Sequence, residues 1–178
     1  FIVCGKAIAG GVPCAVYGYS DAVAQRLRGA DAKRESGHSG IGTTLAANPL
    51  AIAALAASLA HLHTPATYRL MELRAAQLAA GIEAALQRHR VPWQVSRVGA
   101  RLEFGPAPAP RTGKQSVDSI DHVLEGALHL YLLSRGFLLT PFHNMMLASP
   151  VTTEGQVDAF LATFDTALGE FAPLMGAR

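Results

Sequence analysis

An α/β or α+β assembly is the fold class this sequence predicts, and three observations carry it. Short β-branched and aromatic runs come in pairs, 1–4 with 14–19 and 93–98 with 100–104. Long stretches rich in Ala and Leu, with helical spacing of their apolar residues, separate those pairs. Gly or Pro marks the changes of character between them.

Residues 1–4 and 14–19 read as two strands joined by a glycine-rich loop. Ser20-Asp21 caps a helix reaching about Arg28. Residues 29–42, with Asp31, Lys33, Arg34 and Glu35, read as a polar surface loop. Asn48-Pro49 starts a helix to about His63, with proline where its missing N–H costs nothing. Thr64-Pro65 breaks it and begins another, from Ala66 to about Arg90, with Leu70, Leu73, Leu78, Ile82 and Leu86 along one face. After Val91-Pro92 come strands 93–98 and 100–104 around Gly99, then a loop over 106–114 with three prolines. Residues 117–134 have the pattern of one amphipathic helix, ended by Arg135-Gly136. Residues 137–139 and 145–147 read as short strands. Thr153 caps a last helix to about Phe171, with Val157, Phe160, Leu161, Phe164 and Leu168 as its core stripe.

Half of the 178 residues are hydrophobic and 16% are charged, and mean hydropathy is +0.24. That is ample apolar material for a packed core. No stretch reaches the roughly 18 unbroken apolar residues of a membrane span, since 49–62 is interrupted by Ser58 and His61. A net charge of +2 from scattered basic residues gives no footprint for nucleic acid. Cys4 and Cys14, the only cysteines, fit neither a disulfide framework nor a zinc knuckle and read as reduced, which suits a cytoplasmic protein. His61 and His63 fall on different sides of a helix, so no metal site is expected of them.

The chemistry concentrates at Lys6, in Val3-Cys4-Gly5-Lys6-Ala7-Ile8-Ala9-Gly10-Gly11-Val12-Pro13. An amine at the end of a strand, followed by glycines with no side chains, leaves room for a flat ligand against the backbone. Farther on, Gly42-Thr43-Thr44-Leu45-Ala46-Ala47-Asn48-Pro49 is a hydroxyl-bearing turn running into an apolar helix. A nucleophilic lysine and a phosphate-cradling turn are what a pyridoxal-phosphate enzyme requires. The bland alternatives are a solvated surface lysine and a turn that only caps its helix, because capping and anion binding draw on the same N–H groups. The pairs Gly5-Lys6 and Gly113-Lys114 lack the following Ser or Thr of a nucleotide P-loop.

Three segments resemble, in order, the class III, fold-type I pyridoxal-phosphate aminotransferases, with the glutamate-1-semialdehyde aminomutase-like branch nearest. They are Gly5–Pro13 followed by Val16-Tyr17-Gly18; Gly42-Thr43-Thr44-Leu45-Ala46-Ala47-Asn48-Pro49-Leu50-Ala51; and Ser134-Arg135-Gly136-Phe137-Leu138-Leu139-Thr140-Pro141 followed by Ala148-Ser149-Pro150-Val151-Thr152-Thr153-Glu154. The resemblance implies that Lys6 forms the Schiff base with pyridoxal 5'-phosphate. It implies that Thr44, with Thr43 beside it, reaches the phosphate from the neighbouring subunit of a homodimer. It also implies that residues 1–65 end a large cofactor domain and 66–178 form a small α+β domain. The aspartate that pairs with the pyridinium nitrogen would lie upstream of Phe1, so the expectation is the carboxy-terminal part of a longer polypeptide.

The activity expected is an aminotransferase or aminomutase acting on a small amino acid or keto substrate. A racemase of the same fold, or a non-catalytic module that only dimerises, stays open. Arg97, Arg101 and Arg135 are available to bind a substrate carboxylate, and His143 and Asn144 to tune specificity, but none sits in a matched motif.

Overall fold

The computed structural model describes residues 1–34, 37, 42, 44–140 and 144–175. The chain divides into two units, Phe1–Thr64 and Pro65–Arg178.

In the first unit, β1 (Ile2–Cys4) pairs antiparallel with β2 (Val16–Gly18), in the register Ile2 opposite Gly18 and Cys4 opposite Val16. The connection contains one 3-10 turn, Lys6–Ala9, closed by Gly10 in the left-handed conformation (φ 62°). A Cβ on Gly5 would lie 3.4 Å from Ala15 Cβ, so the absent side chain lets the two arms approach where the ladder ends. Helix α1 (Asp21–Asp31) runs three residues beyond the expected stop at Arg28, because Gly29 and Ala30 do not break a helix when nothing caps it earlier. Helix α2 (Pro49–His61) begins where Asn48-Pro49 predicted. Its Leu55 packs on Ile8 and Ala9, joined by Val12, Cys14 and Ala54, to form a small apolar cluster.

The second unit is α+β. Strands β3 (Trp93–Val98), β4 (Arg101–Pro106) and β5 (Met146–Leu147) form an antiparallel sheet in that order. Helices α3 (Pro65–Arg88), α5 (His122–Leu133) and α6 (Glu154–Met175) supply the rest of the core. Alternation along β4 puts Leu102 and Phe104 into that core beside Ile82, Leu128, Leu132, Phe164 and Leu168. Phe104, Phe160 and Phe164 make a chain of ring contacts through it.

Two expectations fail here. The stretch 117–134 is not one helix: α4 (Gly113–Asp118) stops, and α5 starts at His122 after three intervening residues. The cause is Asp121, whose side chain accepts from Val123 N (3.2 Å) and Leu124 N (3.0 Å) and so opens a new helix. Residues 137–139 form no strand. Gly136 (φ 90°) and the bonds Phe137 N to Leu132 O and Gly136 N to Leu133 O close α5 as a Schellman motif, and no ladder takes up residues 137–139 among the described residues. Among the described residues no single helix is long and apolar enough to cross a membrane.

Candidate functional site

Lys6, separated from β1 only by Gly5, opens the 3-10 turn with φ 56°, a left-handed backbone that a side chain beyond glycine adopts at a cost. The conformation is imposed from both sides. The ladder holds Cys4 opposite Val16, and Ile8 and Ala9, 9% and 2% exposed, are pinned under Leu55 of α2. The Lys6 side chain is left exposed, with no hydrogen bond or ion pair among the described residues. Beyond it Gly10 and Gly11 (φ 62° and 97°) have nothing within 4 Å of where a Cβ would stand, so the space over the turn is open.

Thr44 lies exposed in the turn that leads into α2; Thr43 falls outside the described residues. Asn48 N donates to Leu45 O at 3.3 Å, and Ala47 takes φ 55°. Asn48 Oδ1 accepts from Leu50 N at 3.0 Å and from Ala51 N at 3.3 Å. Helix α2 thus carries the Thr44 turn at its amino end and packs on the Lys6 turn at Leu55, about 9 Å along its axis from Pro49. No hydrogen bond joins the two turns among the described residues. Sequence reasoning found both turns but neither left-handed residue, since nothing in Gly-Lys-Ala or Ala-Ala-Asn marks a positive φ.

The other candidates have local employment. Arg97 donates to Gly99 O at 2.8 Å, Arg101 pairs with Glu103, and Arg135 lies 3.4 Å from the centroid of the Tyr131 ring. Asn144 is buried at φ 45°, its Nδ2 donating to Phe104 O at 3.2 Å; His143 falls outside the described residues. Lys114 pairs with Asp118 at 2.9 Å. Cys4 and Cys14 are free thiols, the first exposed. No group of three or more His, Cys, Asp or Glu is placed to hold a metal among the described residues. In the second unit a cavity of about 320 Å³, lined by Phe137, Leu139, Met146 and Phe160 among others, contains no titratable side chain and so offers no acid or base.

Residues 1–168 match the model of the family described as aminotransferase class-III. The glutamate-1-semialdehyde 2,1-aminomutase of Desulfosudis oleivorans is 31% identical over 171 residues, 96% of this chain and 38% of the relative. A solved glutamate-1-semialdehyde-aminomutase from Pseudomonas aeruginosa PAO1, a lysine-to-alanine variant in complex with PMP, superposes with a TM-score of 0.88 and 43% identity. That match covers 94% of this chain and 38% of the other. An omega-transaminase from Sphaerobacter thermophilus gives a TM-score of 0.79 and 27% identity over 94% of this chain and 37% of its own. The chain therefore spans well under half the length of the relatives it matches.

Proposed function

We propose that this chain, which belongs to the class-III aminotransferase family and has the fold-type I architecture of its solved relatives, serves pyridoxal-phosphate-dependent amino-group transfer through Lys6. The observation that carries the reading is the state of that amine. It is exposed, has no ion-pair partner among the described residues, and stands at a strained left-handed backbone beside the open Gly10-Gly11 turn. Strain of this kind persists where surrounding structure imposes it, and it clusters at functional sites.

The residues present fit the group. An amine free of carboxylate partners suits an aldehyde, the glycines leave space for a planar ring, and the Thr44 hydroxyl is a donor for phosphate. When bound, pyridoxal 5'-phosphate supplies the electrophilic carbonyl and the electron sink. Lys6 Nζ is the group that would hold that carbonyl and that, as a free amine, would move a proton at the reacting carbon as general base and acid. Thr44 would hold the phosphate, in this reading for the partner subunit of a homodimer.

The substrate class proposed is a small amino acid or amino ketone, with an aminomutase reaction foremost because the aminomutases named above are 31% and 43% identical to this chain and the omega-transaminase 27%. The 1–65 segment would end the cofactor domain and 66–178 form the small domain. The break between units at Thr64 and Pro65 is in keeping with that division. Two unpaired cysteines accord with a cytoplasmic setting.

The test is reductive trapping. The natural full-length protein, loaded with pyridoxal 5'-phosphate and reduced with borohydride, should gain the pyridoxyl mass on the peptide bearing Lys6 and nowhere else. The Lys6→Ala variant should take up none. A wild type that stays colourless and unlabelled while still self-associating would point to a dimerisation module.

A further inference from the structure

The amino end of α2 has no free amide to give. Pro49 lacks an N–H, Leu50 N and Ala51 N both donate to Asn48 Oδ1, and Asn48 N itself donates back to Leu45 O at 3.3 Å. These four positions are the orphan donors of a helix start, the groups by which such an end usually grips an anion. Here the Asn48 side chain takes up two of them and Leu45 O a third. A phosphate arriving at this end would meet the helix dipole but no N–H.

The same residue fixes what lies ahead of the helix. Asn48 N closes a turn onto Leu45 O, and Ala47 is held left-handed (φ 55°) between that turn and the cap. Alanine gains nothing locally from a positive φ, so the conformation lasts only while Asn48 is anchored at both ends. Thr44 stands immediately upstream, exposed, with no hydrogen-bond partner among the described residues. The backbone turn that follows it is thereby held by a residue four places later.

We infer that Asn48 is a positioning residue for the cofactor phosphate. It occupies the amides of α2 and rigidifies the 44–47 turn, so the anion is held by the Thr44 turn and not by the helix end. This rests on the reading of Lys6 and Thr44 above and adds the residue that orients the second of them. Asn48 itself touches no ligand.

The experiment compares pyridoxal 5'-phosphate with pyridoxal, which lacks the phosphate, as ligands of the apo form of the full-length protein. Dissociation constants come from absorbance titration, with unfolding midpoints measured alongside. In Asn48→Ala the preference for the phosphorylated compound should fall about tenfold, while pyridoxal binding and its borohydride trapping on Lys6 stay within twofold. Asn48→Ser, whose hydroxyl accepts from the same amides, should restore the preference. Should the Ala variant fail to fold, Asn48→Gly decides the matter, because glycine is tolerated at a helix start yet offers no acceptor. Equal loss of both compounds, or lowered stability with the preference intact, makes Asn48 merely structural and overturns the inference. So does tighter phosphate binding once Leu50 and Ala51 are freed. A wild type unlabelled at Lys6 instead removes the underlying reading.

Discussion

Thr153 and Gln156 cap each other at the start of α6. Gln156 Oε1 accepts from Thr153 N at 2.9 Å, and Thr153 Oγ1 accepts from Gln156 N at 3.2 Å. Glu154, which stands next to the cap, turns aside to Arg74 at 3.2 Å. This reciprocal pair satisfies two backbone donors that would otherwise face only water. Thr153→Ala and Gln156→Ala should each lower stability by about 1 kcal/mol. Urea unfolding checks it. If Glu154→Ala proved the costlier change, the exposed ion pair would outrank the cap, against the small worth of such pairs.

Helices α3 and α6 cross where Gly81 meets Leu161: a Cβ on Gly81 would lie 2.3 Å from Leu161 Cδ1 and 3.0 Å from its Cγ. Rotating the end of the leucine cannot relieve a clash that reaches Cγ, so the side chain must shift as a whole. Gly81→Ala should therefore destabilise by about 1–3 kcal/mol, despite a helix-propensity gain of about 1 kcal/mol. In a Leu161→Ala background only the gain remains, and the same change should stabilise. Denaturant midpoints of the four proteins decide it; a substitution with the same sign in both backgrounds would show that the crossing is not limited by this contact.

Tyr131 Oη donates to Glu170 Oε1 at 2.8 Å, and its ring meets Phe171 edge-on, tying α5 to α6. The hydrogen bond to Glu170 is the main cause that raises the Tyr131 pKa above its ordinary value, with desolvation adding to it and Arg135 opposing. The folded state thus holds this proton more tightly than the unfolded one. The contribution to stability is full below the ordinary tyrosine pKa of about 10 and is lost as pH climbs through the folded value. The stability gap between wild type and Tyr131→Phe should accordingly be widest near neutrality and narrow above pH of about 10. A gap that stays constant across that range would detach the proton from the clasp.

Much of this architecture was legible because local chemistry and tertiary demand agree. Asn48-Pro49 starts a helix, Thr64-Pro65 separates two, Gly99 (φ 57°) turns β3 into β4, and Gly136 ends α5. What escaped depends on a side chain choosing a partner. Asp121 could have ridden on a longer helix as a surface carboxylate, and only its bonds to Val123 and Leu124 split α4 from α5. The run 137–139 is apolar and opens on a β-prone phenylalanine, yet pairing is a property of neighbours, and β5 takes the ladder position beside β4 with two residues. At the candidate site the pattern pointed to Lys6 and Thr44 as residue types in order. The donors already spent by Asn48 appear only in the folded geometry.

Lys6 shares its left-handed backbone with Arg90, and the comparison separates strain kept for a fold from strain kept for chemistry. Arg90 (φ 56°) ends α3 in a Schellman closure, with Val91 N on Leu86 O and Arg90 N on Gln87 O, at a position where glycine is the usual occupant. Glycine at either site removes a conformational cost of about 1 kcal/mol, offset in part by the greater freedom of the unfolded chain. Arg90→Gly should raise the unfolding midpoint and leave pyridoxal-phosphate trapping untouched. Lys6→Gly should also be more stable than Lys6→Ala, which keeps the left-handed cost, yet both should be unlabelled by borohydride. A lysine retained where glycine folds better would then be explained by its amine alone. Equal midpoints for Lys6→Gly and Lys6→Ala would mean that this backbone is relaxed in solution, and the strain would no longer speak for function.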